Sequence, residues 1–195
     1  MEVRTRFAPS PTGHLHIGGL RSALFSYLWA KHNNGKFFLR IEDTDRSRYV
    51  EGAVEGIKKS LLWAGIQWDD EVIFQSERLE LYQKAANKLL EEGKAYRCFC
   101  SESRLERVRK LREQNKLPSG YDRKCRNLTK EEIDEHLANG DPYVIRLKVP
   151  LEGETICNDL LRGEIRFDNS TLEDIVLIKS DGFPTYHLGV VVDDH

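Results

Sequence analysis

The chain holds 195 residues, 39% of them hydrophobic and 32% charged, with 30 Lys and Arg against 32 Asp and Glu for a net charge of −2. That length allows one good core or two modest domains without disulfide staples, and the composition excludes intrinsic disorder. No apolar run approaches the roughly 18 residues that cross a bilayer and no signal or transit pattern opens the chain, so a cytoplasmic protein with no membrane partner is expected.

Residues 3–7 read as a short strand, and the prolines of Ala8-Pro9-Ser10-Pro11-Thr12-Gly13 keep the next segment out of a helix. From 18 to 31, Leu20, Ala23, Leu24, Tyr27 and Leu28 recur at helical spacing. Asn33-Asn34-Gly35 closes that helix, and 36–41 is an apolar strand. Val54, Ile57, Leu61 and Leu62 mark a second helix, 72–74 a third strand and 77–92 a third helix. This alternation predicts an α/β fold with a doubly wound parallel sheet.

After Gly93 the pattern changes to a short Cys-rich strand, a basic helix over 102–115, a Pro-Ser-Gly turn at 118–120, and half-exposed antiparallel strands at 143–149 and 160–167. A boundary near residue 93 is expected, with 94–180 an inserted mixed α+β domain. Residues 186–192 are predicted to return as a buried parallel strand that delivers Asp193, Asp194 and His195 at its carboxyl end, opening a second half at 181–195. A natural terminus seldom follows such a strand, so the chain is expected to be the N-terminal part of a longer protein. There are no internal repeats.

Ligands of open α/β sheets bind at the carboxyl ends of strands, where a helix N-terminus offers unpaired N–H groups to phosphate. The segment from Thr12 through His14, His16, Gly18 and Gly19 occupies that place, with backbone free of Cβ and two imidazoles, but without the lysine of a P-loop. Turn and helix-capping duty explains such residues equally well at this level. Of the four cysteines, Cys98, Cys100 and Cys125 fall with Tyr121 inside 28 positions. Three soft ligands and a phenol suit a structural Zn²⁺, the alternative being reduced cytosolic thiols, while Cys157 stands apart. The same stretch, 97–130, carries eleven Lys or Arg against four Asp or Glu, a local excess of +7 suited to a polyanion or to a solvated helix face.

Arg6-Phe7-Ala8-Pro9-Ser10-Pro11-Thr12-Gly13 followed by His14-Leu15-His16-Ile17-Gly18-Gly19 resembles the N-terminal signature of class I aminoacyl-tRNA synthetases of the glutamyl type. Arg40-Ile41-Glu42-Asp43-Thr44-Asp45 and Tyr186-His187 with Val191-Val192-Asp193-Asp194-His195 resemble further blocks of that family, in the same order. Gly19 stands where the class motif has a second histidine, a departure typical of the bacterial branch. Val190 stands where many members carry Asn, so any contact through that amide is lost.

The resemblance implies a Rossmann-type catalytic domain that joins glutamate to ATP, with Mg²⁺, as glutamyl-adenylate and passes the acyl group to the 3′ end of tRNA(Glu). Catalysis is expected from His16, with His14, aligning reactants and stabilising phosphate charge. Thr12, His16, Gly18 and Gly19 are expected to hold ATP. Arg6, Ala8, Ser10, Glu42 and Tyr186 are expected to hold glutamate, Arg6 taking its side-chain carboxylate and Glu42 its ammonium. The family pattern supports Zn²⁺ on Cys98, Cys100, Tyr121 and Cys125, since Asn127 replaces the histidine that some relatives use. It also sets the insertion against the tRNA acceptor arm, where Arg104, Arg107, Arg109, Lys110 and Arg112 could meet phosphates. A monomer is expected, inactive as 195 residues alone because the Lys-rich second ATP signature and the anticodon-binding region lie downstream in the family. The alternatives are the paralogue that glutamylates queuosine in tRNA(Asp) and a non-enzymatic tRNA-binding module.

Overall fold

The computed structural model describes residues 2–117, 120–159 and 161–195. The chain divides into two compact units, one up to Leu79 and the other from Glu80 onward.

In the first unit, β1 (Arg4–Phe7) leads through the proline-rich loop to α1 (Ile17–His32), β2 (Lys36–Ile41), α2 (Ala53–Trp63) and β3 (Ile73–Phe74). The three strands are parallel in the order β1-β2-β3, with Phe7 opposite Leu39 and Ile41 opposite Phe74. Period-2 alternation puts Phe37, Leu39 and Ile41 on one face of β2, each fully buried. Ala23 and Ala30 of α1 and Val54, Ile57 and Leu61 of α2 close over the same core. Each large side chain so buried contributes about 1.5–3 kcal/mol relative to exposure. The turn into β2 passes so close to β1 that a Cβ on Gly35 would stand 2.1 Å from the Val3 carbonyl oxygen, which only glycine avoids.

The second unit contains α3 (Leu79–Glu91), β4 (Ala95–Cys98), α4 (Glu102–Gln114), α5 (Lys130–Ala138), β5 (Val144–Leu147), β6 (Glu154–Asp159), β7 (Gly163–Asp168), β8 (Val176–Ile178) and α6 (Tyr186–Asp194). Strands β4, β5 and β8 form an antiparallel sheet, and β6 pairs with β7 as a separate hairpin. The two predicted antiparallel segments therefore belong to different sheets. Leu160, Pro118 and Ser119, which the predicted strand and turn included, lie outside the described residues. Helix α4 starts at Ser101, whose side chain accepts from Arg104 N–H, and α5 starts with a Thr129/Glu132 capping box.

The predicted strand at 186–192 is a helix, α6. Consecutive valines favour strand by propensity, but a short apolar run such as 186–192 fits either period, and packing decides. As a helix the segment buries Leu188 and Gly189, leaves Val191 69% exposed, and brings the Asp193 carboxylate to the Tyr82 hydroxyl, which donates at 2.9 Å.

The interior of this unit also holds a buried charge. The Asp174 carboxylate accepts from the Tyr96 hydroxyl and from Arg126 Nη1, both at 2.8 Å, and from the Val149 N–H at 3.3 Å. Arg146 Nη1 donates to the Asp174 backbone carbonyl at 2.9 Å. Burial, and then the carboxylate beside it, push the Tyr96 phenol well above its ordinary value. Among the described residues, no helix is long and apolar enough to cross a membrane.

Candidate functional site

Two groups of side chains carry chemistry, one in each unit. In the first, the loop after β1 is anchored to the segment that follows β2: Glu42 N–H donates to the Pro9 carbonyl at 3.0 Å and Val50 N–H to the Pro11 carbonyl at 2.9 Å. These bonds replace the ladder that the prolines cannot make, and hold residues 8–13 against the carboxyl end of β2. Arg6 and Ala8 are half-buried, whereas Ser10, Thr12 and His14 are exposed.

His16 caps α1. Its Nδ1 accepts the Gly18 N–H at 3.0 Å. An accepting Nδ1 places the neutral ring's proton on Nε2, so the exposed edge of the imidazole is a donor. This donor sits at the positive end of a 16-residue helix that has no acidic side chain in its first turn. Gly19 is closely packed: a Cβ there would come within 2.9 Å of Leu15 Cδ1 and 3.6 Å of the Phe7 ring, so a larger residue would have to displace the Leu15 side chain. The first turn thus packs on the loop and on β1.

At the end of β2, Arg40 Nη2 donates to Glu42 Oε1 at 3.0 Å, with 3% and 10% of the two side chains exposed. Reading the sequence missed Arg40; the available signal was a charge inside the apolar strand Phe37-Phe38-Leu39-Arg40-Ile41. Its guanidinium fixes one oxygen of Glu42 and leaves acceptor capacity on the carboxylate. Asp43 is occupied structurally, accepting from Ser76 N–H at 2.9 Å and Ser76 Oγ at 2.6 Å. Asp45 is held down to about 2 by hydrogen bonds from Ser47 and Arg48. The structure therefore brings Arg6, Ala8, Ser10, Thr12, His14, His16, Gly18, Gly19 and Glu42 into one unit. Tyr186 belongs to the other, 61% exposed in the first turn of α6, its ring edge-on to His187.

The second group lies where β4 meets the 3-10 turn Lys124–Asn127. The sulfurs of Cys98, Cys100 and Cys125 lie within 4.8 Å of one another, with Cys100 and Cys125 3.5 Å apart. The Tyr121 hydroxyl stands 3.2 Å from Cys98 Sγ and 3.4 Å from Cys100 Sγ. A tetrahedral zinc with Zn–S bonds of about 2.3 Å has S···S edges of about 3.8 Å, so this donor set fits the ion in spacing and in softness. A hydrogen bond from Cys125 and then one from Tyr121 bring the Cys98 thiol down to about 4, against the cost of its burial. Cys125, the donor to Cys98, is pushed up, and burial pushes Tyr121 up. The Arg146 guanidinium lies 4.1 Å from the centre of the Tyr121 ring. Cys157 stands apart on β6, as expected, but is exposed rather than packed.

On α4, Arg107, Arg109 and Lys110 are exposed and Arg112 is half-buried, while Lys110 pairs with Glu106 at 3.0 Å. Arg104 is turned toward the cysteines: its Nη1 donates to Cys100 Sγ at 3.4 Å, and both its terminal nitrogens donate to the Asp122 carboxylate.

With this geometry, comparison with known proteins is specific. The family "tRNA synthetases class I (E and Q), catalytic domain" matches residues 2–195. The chain is 57% identical over 194 residues to glutamate–tRNA ligase 2 of Thermoanaerobacter pseudethanolicus, an alignment covering 100% of this chain and 40% of that protein. It is 54% identical over 202 residues to a glutamate–tRNA ligase of Dehalococcoides mccartyi (strain CBDB1), again covering 40% of the relative. Among solved structures, a glutamate–tRNA ligase from Elizabethkingia meningosepticum, in complex with its amino acid, superposes with a TM-score of 0.92 at 42% identity, covering 100% of this chain and 42% of that one. The chain thus spans about two fifths of the length of the curated relatives it matches, and its fold is that of their Rossmann-type catalytic domain.

Proposed function

Because the chain belongs to the class I tRNA synthetases (E and Q), catalytic-domain family, we propose that it carries the amino-acid activation step of a glutamate–tRNA ligase. The observation that carries this reading is the capping geometry of His16, which leaves an Nε2–H donor at the positive end of α1. In the reaction, an α-carboxylate oxygen of glutamate attacks the α-phosphorus of ATP and the bond to pyrophosphate breaks, giving glutamyl-adenylate. No enzyme nucleophile is needed. The protein aligns the two substrates and stabilises charge that develops on phosphate oxygens, a task suited to His16, with His14 nearby. Thr12, Gly18 and Gly19 would line the nucleotide, and Mg²⁺ would offset charge on its phosphates. Arg6 would fork onto the side-chain carboxylate of glutamate, Ala8 and Ser10 would line the amino acid beside it, and Glu42, steadied by Arg40, would accept from the ammonium; Tyr186 is a further candidate contact to glutamate.

In this reading residues 1–93 form the first half of the catalytic domain, 94–180 the insertion that meets the tRNA acceptor arm, and 181–195 the start of the second half. Cys98, Cys100, Tyr121 and Cys125 hold one structural Zn²⁺. Arg107, Arg109, Lys110 and Arg112 supply phosphate contacts from α4.

ATP–pyrophosphate exchange by the full-length protein, with glutamate and with or without tRNA(Glu), tests the proposal. Exchange that needs tRNA(Glu) supports the ligase; exchange without any tRNA favours the queuosine-modifying paralogue, and none at all favours the binding module. His16→Ala is expected to slow exchange by about 10²–10³-fold, the cost of one electrostatic donor, with a modest fall in stability of about 1 kcal/mol from loss of the α1 cap.

A further inference from the structure

Sequence reading grouped Arg104 with the phosphate-binding cations of α4, but its geometry is unlike theirs. Its side chain is 20% exposed, and its guanidinium is already fully directed. Nη1 donates to Cys100 Sγ at 3.4 Å and to Asp122 Oδ1 at 3.1 Å, while Nη2 donates to Asp122 Oδ2. Forked pairing of this kind fixes the plane of the guanidinium as well as its position. The Asp122 carboxyl is held below its ordinary range chiefly by that fork.

Chain order gives the arrangement its point. Cys100 immediately precedes Ser101, the N-cap of α4, and Arg104 is the residue whose own N–H the Ser101 side chain caps. Asp122 follows Tyr121, whose hydroxyl contacts Cys98 and Cys100. One side chain therefore closes a ring through the first turn of α4, a cysteine of the cluster and the loop that carries the tyrosine. Sulfur ligands are set in orientation and donor strength by the N–H groups that point at them.

We propose that Arg104, locked by Asp122, is a positioning residue of the cysteine cluster: it orients the Cys100 thiolate for the metal and ties metal occupancy to the first turn of the basic helix. Arg104 is then withdrawn from phosphate binding, which falls to the exposed cations further along α4. The inference rests on the zinc reading above, and the test separates the two.

Full-length wild type, Arg104→Met and Arg104→Lys are purified, and zinc per chain is measured. Zinc affinity follows from competition with a coloured chelator, and Co²⁺ loading gives the sulfur-to-metal charge-transfer band. One zinc per wild-type chain is expected. Arg104→Met should bind zinc about tenfold more weakly and move the Co²⁺ band to longer wavelength, because a thiolate relieved of its hydrogen bond donates more strongly. Arg104→Lys, which keeps a donor but not the fork, should fall between. Affinity within twofold of wild type and an unmoved band in a zinc-loaded Arg104→Met overturn the positioning role alone. If Arg104→Met does not fold, an Arg104→Lys protein identical to wild type in both readouts does the same. Wild type without zinc, and unable to take it up, sinks the metal reading and this inference with it.

Discussion

The first compact unit closes an apolar core with Ala23, Ala30, Phe37, Leu39, Ile41, Ile57, Leu61 and Ile66 and keeps its Arg40–Glu42 pair at the end of β2, whereas the second sets Asp174 and Arg146 in its interior beside Tyr96, Cys98 and Cys125. In the second unit neither α4 nor α5 contributes a buried residue, and the β6–β7 hairpin is exposed along most of its length. An apolar core is a matter of volume: it tolerates swaps that keep shape and suffers from cavities. A core of charges and thiols is a matter of completeness, because each group's cost of burial is offset only while its partners are present. The two units should therefore fail in different ways.

The largest effect is expected from Phe37→Ala, at about 4 kcal/mol, read as a shift of the urea midpoint with amide exchange accelerating in β1 and β2. Phe37→Leu should cost under about 1.5 kcal/mol; equal losses would break the volume account. In the other unit Asp174→Leu strands Arg126 and the Tyr96 hydroxyl, and about 3 kcal/mol is expected. Adding Arg126→Met should recover part of it. A double variant no more stable than the single one would show that stranded charge is not the cause.

A smaller effect lies at the edge of the first core, where the Asp69 carboxylate accepts from Phe37 N–H at 2.8 Å and from Lys31 at 3.0 Å. The Phe37 hydrogen bond first, and then Lys31, hold its carboxyl below the usual aspartate range. A pKa lower in the folded than in the unfolded state gives stability that is complete above about pH 4 and is lost as pH falls through the lowered folded value. Asp69→Asn should cost about 1 kcal/mol at pH 7, and the difference between variant and wild type in urea should shrink steadily below pH 4. The smallest effect on folding is expected from Arg107→Ala on the solvated face of α4, within about 0.5 kcal/mol. Its signature is elsewhere: the slope of log affinity against log salt for tRNA should flatten by about one.

Much of the first unit was legible because its signals are local. The helix read over 18–31 is Ile17–His32, the strand read over 36–41 is Lys36–Ile41, and the basic helix of the second unit, read over 102–115, is Glu102–Gln114. In each case the apolar pattern lies within the element and a cap or glycine lies immediately beside it. The rigid loop after β1 was legible for the same reason, since prolines and glycines act over a few positions.

What the amino-acid order determined by itself was the alternation of strands and helices up to Glu92, the loop that prolines force after β1, and the clustering of three cysteines with a tyrosine. Only the tertiary structure decided that 186–194 is a helix, that Arg40 braces Glu42, that Arg104 faces Cys100 rather than solvent, and that Asp174 collects Tyr96 and Arg126 from 78 and 48 residues away. Periodicity and caps act between neighbours in sequence, so the chain declares them. The partner of a buried charge, or the face on which an ambiguous apolar run settles, depends on which distant surfaces the fold brings together and how completely each buried group is satisfied there.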